Sequence, residues 1–97
     1  MPYSISITPT ASQQIDEALE YYIYKANKKV ADNLLNQIFD TFKLLEVNPY
    51  FQIKAKNYRS FVLRKYPYIL FFEIMEETQI VKILALFHTS QNPEKYP

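Results

Sequence analysis

The chain opens with apolar and polar residues in alternation: Tyr3, Ile5 and Ile7 against Ser4, Ser6 and Thr8. A period of two predicts a half-buried strand, which Pro9 ends. Thr10-Ala11-Ser12-Gln13 then reads as a capping box. Ile15, Ala18, Leu19, Tyr22, Ile23 and Ala26 recur at helical spacing, so an amphipathic helix is predicted over residues 11–26. Asp16, Glu17 and Glu20 sit in its first half, where the macrodipole favours anions, and Lys25 near its end. Asn27 is the best candidate for a left-handed C-cap. A second helix is predicted over residues 28–47, with Val30, Leu34, Leu35, Ile38, Phe42 and Leu45 as its buried stripe and Asn48-Pro49 as its stop. The short link at Asn27 makes the two helices an antiparallel hairpin.

Residues 50–57 hold no sustained period and read as a loop. From Tyr58 onward the chain turns strand-like: Tyr58–Lys65, Tyr68–Met75 and Gln79–His88, with Pro67 at a turn or strand start and Glu76-Glu77-Thr78 as a hairpin. Strands joined by tight turns form an antiparallel meander. Ile80 to Phe87 is apolar on both faces and is expected to be central. Thr89 to Pro97 is polar, Pro-bounded and irregular. The expected fold is α+β in the order β-α-α-β-β-β: an N-terminal strand and a helical hairpin packed on a small antiparallel sheet. The face away from the helices is then expected to be partly open and free for function.

Composition removes whole function classes. At 97 residues the chain is expected to form one domain, 1–97, with one core. There is no Cys, which removes disulfide scaffolds, thiolate metal sites and Cys nucleophiles. There is no Gly, which removes P-loops and glycine-rich dinucleotide turns. His88 is the single histidine, so no multi-imidazole metal site is possible and no cofactor is implied. The longest apolar run, Tyr66 to Phe72, falls far short of the ~20 residues that span a bilayer. No secretory signal pattern is present at the N-terminus, so a cytoplasmic protein without a membrane partner is expected.

The formal net charge of +1 hides a block structure. Residues 1–46 carry four Lys and six acids, and residues 73–97 two Lys and four acids. Residues 47–72 carry Lys54, Lys56, Arg59, Arg64 and Lys65 with no acid. That block is suited to phosphates, carboxylates or an acidic partner. Arg64 ends the first meander strand and His88 the third, so both are expected at one edge of the sheet, within reach of Tyr96 on the tail and Lys54 or Lys56 on the loop. Arg, Lys, His and Tyr together form a phosphate-handling set: a fork, a point charge and two proton carriers. The alternative for Arg64 is an ion pair with Glu73 across the hairpin. For His88 it is a hydrogen bond to the tail, and for Tyr96 a ring that pins the tail to the core.

Residues 58–74, YRSFVLRKYPYILFFEI, then a short acidic turn and IVKILALFHTSQNPEKYP, resemble the RelE/ParE superfamily of toxins from bacterial type II toxin–antitoxin modules, among them plasmid stabilisation proteins. The N-terminal strand and helical hairpin match as well. The resemblance implies a cognate antitoxin that neutralises the chain. It further implies one of two targets: DNA gyrase for ParE-like members, or mRNA on the ribosome for RelE-like endoribonucleases. For the nuclease branch it places Arg64, His88 and Tyr96 as candidate catalytic residues. Lys54, Lys56, Arg59 and Lys65 become candidate target-binding residues. Two arginines of that branch are missing. Tyr68-Ile69-Leu70-Phe71 holds none, and the family's frequent Ser-Arg-Asp-Pro reads Ser90-Gln91-Asn92-Pro93. Each preorganised contact to a phosphorane is worth roughly 3–4 kcal/mol, so the sequence leans to a non-hydrolytic, ParE-like gyrase inhibitor. The endoribonuclease is the second reading, and a decayed toxin or plain interaction module the third. A homodimer is left open.

Overall fold

Seven elements follow one another in the structure, a computed structural model that describes residues 2–51, 53–55 and 58–90. They are β1 (Ser4–Ile7), α1 (Pro9–Lys25), α2 (Lys28–Val47), β2 (Ile53–Ala55), β3 (Tyr58–Val62), β4 (Tyr68–Met75) and β5 (Ile80–His88). The predicted α+β order is present, with β2 added where the sequence reads as a loop. The predicted irregular tail lies outside the described residues from position 91 onward.

Pro9 does more than end a strand. Thr8 is the N-cap of α1, and Pro9 takes the first helical position, where a missing N–H removes no bond. The Thr8 hydroxyl accepts from the Ala11 N–H at 3.1 Å and donates to the Ile83 carbonyl at 2.8 Å. One side chain thus caps the helix and ties it to β5, and Thr10 falls inside the first turn rather than at the cap. Asn27 is also displaced from its predicted role. Its backbone is extended at φ −168°, and its Oδ1 accepts from the Val30 N–H at 3.0 Å, which makes it the N-cap of α2. The left-handed residue among those described is Gln79, at φ 54° in the turn between β4 and β5. A non-glycine side chain there costs roughly 1–2 kcal/mol.

The five strands are ordered β1-β5-β4-β3-β2. Strands β2 to β5 pair antiparallel as the meander predicts, whereas β1 lies parallel to β5, so the whole sheet is mixed. Flanked by β1 and β4, β5 is interior, which is why its sequence is apolar on both faces. The ladder shifts between Phe71↔Ala85 and Phe72↔Ile83, leaving Leu84 as an extra residue.

The helices cover one face. Leu34, Ile38 and Leu45 of α2 and Ile15 of α1 share a core with Leu70, Phe72, Val81 and Ile83 of the sheet. The other face, expected to be partly open, carries apolar packing of its own. Phe71, Ala85 and Phe87 form a second buried cluster there, joined by Tyr58, Ile69 and Leu84. Phe71 is 0% exposed. Among the described residues, no helix is long and apolar enough to cross a membrane.

Candidate functional site

The β4 and β5 ladder brings the predicted chemistry to one end of the sheet. His88 ends β5 opposite Tyr68 at the start of β4. The bend at 64–67 stands beside them: the Leu63 N–H donates to the Tyr68 carbonyl at 3.0 Å, and the Thr89 N–H to the Pro67 carbonyl at 2.8 Å. Arg64 and Lys65 are exposed on that bend. The Lys65 backbone N–H is anchored to Gln37 Oε1 at 3.3 Å. Arg64 forms no hydrogen bond or ion pair among the described residues, and the alternative pairing with Glu73 does not occur. Arg59 opposite Phe72 fixes the register, which puts Glu73 at the far end of the hairpin.

The His88 ring packs edge-on against Tyr68, with centroids 5.3 Å apart. Its Nδ1 accepts from the Ser90 backbone N–H at 3.1 Å and lies 2.7 Å from Ser90 Oγ. A backbone donor at Nδ1 puts the proton of the neutral ring on Nε2. Tyr68 is a poor proton carrier. Burial, with Tyr22 and Tyr21 beside it, pushes its hydroxyl up to about 12. Tyr22 is raised too, chiefly by burial.

The cationic block does not stay together. Arg59 lies toward the other end of β3, where its Nη1 donates to the Phe51 carbonyl at 2.8 Å and its guanidinium lies 5.2 Å from the Tyr50 ring centroid. Tyr50 continues a network that the sequence does not announce. Its hydroxyl donates to Glu76 at 2.6 Å and lies 2.8 Å from the Tyr3 hydroxyl. The bond to Glu76, then that to Tyr3, holds the Tyr50 hydroxyl well above its usual range. These contacts tie the chain after α2 to β1, β3 and the β4–β5 turn. Lys54 has its backbone in β2, while Lys56 and Tyr96 lie outside the described residues.

Arg59 and Arg64 should therefore separate by mutation. Arg59→Ala is expected to cost about 1–2 kcal/mol of stability, from a charged hydrogen bond and a ring contact. Arg64→Ala should stay within about 0.5 kcal/mol of the parent. Chemical denaturation of the two variants measures both; equal losses would contradict the split.

A further surface runs along β1. This strand is a sheet edge, and its bonds to β5 use alternate residues: the Ser4 N–H donates to the Gln79 carbonyl at 3.0 Å and the Thr8 N–H to that of Ile83 at 3.1 Å. Ile5 and Ile7 therefore point their backbone groups outward. Beside them lies a groove of about 660 Å³ between β1 and α2, lined by Ile5, Ile7, Phe39, Phe42, Lys43 and Glu46. Ile7 is 42% exposed and Phe39 49%. Phe39 falls outside the predicted apolar stripe of α2, which is the signal in the sequence that could have revealed this groove.

The family model for the ParE toxin of the type II toxin–antitoxin system parDE matches residues 5–93. The chain belongs to the ParE toxin family. Solved structures share the ParE-like fold. A chain of the chromosomal ParDE system from P. aeruginosa superposes with a TM-score of 0.77 at 17% identity, covering 91% of this chain and 97% of that one. A chain of the RelBE2 toxin–antitoxin complex from Mycobacterium tuberculosis gives 0.59 at 20% identity, over 94% and 95% of the two chains. The isolated E. coli RelE toxin gives 0.58 at 12%, over 95% and 89%. No match was found among curated proteins.

Proposed function

We propose that this ParE-family toxin acts without hydrolysis, by binding and inhibiting DNA gyrase, and that a cognate antitoxin holds it inactive. The observation that carries the reading is the hydrogen bond that His88 Nδ1 accepts from the Ser90 backbone N–H. With the Ser90 N–H donating to it, the Nδ1 lone pair is engaged within the fold rather than turned to a substrate proton. Arg59, one of the expected target-binding residues, is committed to Phe51 and Tyr50. The two arginines missing from the sequence weaken a phosphorane site further.

The antitoxin is proposed to seat a segment along β1 and the α2 groove. An extended stretch would add a strand to the outward backbone of Ile5 and Ile7, and apolar side chains would enter beside Phe39. Such a segment orders only on binding. The second reading, a ribosome-dependent endoribonuclease, is favoured by the shared position of Arg64, Lys65 and His88 at one sheet end.

Two assays on the purified protein separate the targets. Inhibition of gyrase supercoiling with intact mRNA in ribosome toeprinting is the expected result. Cleavage of ribosome-bound mRNA, lost in Arg64→Ala with the fold retained, would establish the nuclease instead. Undisturbed growth on induction without antitoxin would favour a decayed toxin.

A further inference from the structure

The sheet end that carries His88 also forms one wall of a cleft that α1 closes. Its volume is about 420 Å³. The sequence of α1 explains why the cleft exists. Gln14, Glu17, Ala18 and Tyr21 follow at helical i, i+3, i+4 and i+7 spacing and so share one face. Gln14 is spent on the fold, since its Oε1 accepts from the Leu86 backbone N–H at 2.9 Å. Ala18 is 5% exposed and ends at its methyl, which leaves space between the helix and Leu86. Around that space stand the Tyr21, Tyr68 and His88 rings and the Glu17 carboxylate.

The chemistry of the walls is that of a cation site. Tyr21 and Glu17 are one helical turn apart, so a ring face and a carboxylate flank the same opening. Glu17 is exposed, and its Oε2 receives only a long bond of 3.4 Å from Gln13. Among the described residues, neither Lys nor Arg lines the cleft. Asp16 and Glu20 add negative charge on the same helix. The acidic wall on α1 disfavours a phosphate, whereas the neighbouring bend at Arg64 and Lys65 favours one. A planar guanidinium fits better than an ammonium: it stacks on flat rings and forks onto a carboxylate.

We infer that this cleft receives an arginine side chain from a partner protein, the guanidinium stacked on Tyr21 and paired with Glu17. The inference does not depend on gyrase or on the seat of the antitoxin, and its test reads no toxicity.

The test is a titration of the isotope-labelled full chain with the blocked tripeptide Ac-Ala-Arg-Ala-NH2, followed by the ring signals of Tyr21, Tyr68 and His88. A single contact of this size predicts saturable shifts with a millimolar dissociation constant. The same peptide with citrulline, which is uncharged, should leave the signals in place. Glu17→Gln and Tyr21→Ala, both on the exposed side of α1, should each weaken binding at least about fivefold while the amide spectrum stays folded. Equal shifts with the citrulline peptide, or undiminished binding in Glu17→Gln, would overturn the assignment. Tighter binding of free L-arginine than of the tripeptide would overturn the protein origin of the ligand.

Discussion

Phe72→Ala should lower the unfolding free energy by about 3–5 kcal/mol, a large share of the 5–15 kcal/mol that holds a typical domain together. Phe72 is 0% exposed on the helix-covered face. It lies opposite Ile83 at the point where Leu84 bulges out of the ladder. Leu34, Ile38 and Leu45 of α2 belong to the same cluster and are buried to 0–1% exposure. A ring removed there leaves a cavity that an interior strand and a packed helix cannot collapse into, so the transfer and cavity terms add. Val62 makes the control. It is 58% exposed on β3, and its truncation should shift the midpoint little. Urea unfolding of the three proteins decides the matter; a loss below about 1 kcal/mol at Phe72 would mean that the two layers are not coupled through this residue.

The same residues show what the sequence could and could not disclose. Both helices and β1 follow from periodicity, because the period of a side-chain pattern is a direct record of which face meets the core, while β3, β4 and β5 follow from strand-like composition between turn signals. The doubly apolar run of β5 correctly signals an interior strand. Its parallel partner does not appear in any pattern, since pairing direction between β1 and β5 depends on where the helical hairpin returns the chain. Local capping is ambiguous for a related reason. Thr8 and Thr10 both offer a hydroxyl near Pro9, and the choice is made by the Ile83 carbonyl, distant in sequence. Asn27 suits either end of a helix, and the extended backbone makes it a start.

The candidate site was legible in part. Arg64 and His88 do reach one end of the sheet, as strand alternation requires. Arg59 does not join them, because register places it toward the opposite end, where the Phe51 carbonyl and the Tyr50 ring are available. A cationic block in the chain therefore overstates the cationic surface in space. Periodicity also hides what lies off the main stripe: Phe39 breaks the helix pattern by a single position and so marks the groove beside β1, while the Tyr3–Tyr50–Glu76 network joins three segments that share no local pattern.

Phe39→Asp should release the antitoxin while leaving target inhibition intact. Phe39 lies on α2, 49% exposed, so an acid there meets water in the free toxin and disturbs the fold little. In the proposed complex the same position is covered by apolar side chains, and a carboxylate would be buried without a partner. A central aromatic anchor of this kind is worth about 2–4 kcal/mol on truncation, so the dissociation constant should rise roughly 30- to 700-fold. Ile7→Asp provides the companion variant, because it attacks the same groove from β1 and places a charge on an edge strand that must accept a neighbour. Calorimetry with the purified antitoxin measures the affinity, and the supercoiling assay measures the retained activity. Cells that make antitoxin and either variant together should stop growing, whereas cells with the parent toxin should not. Affinity unchanged within about twofold in both variants would move the antitoxin away from β1. The exposed Arg64 and Lys65 bend, with its open positive charge, would then be the next surface to mutate.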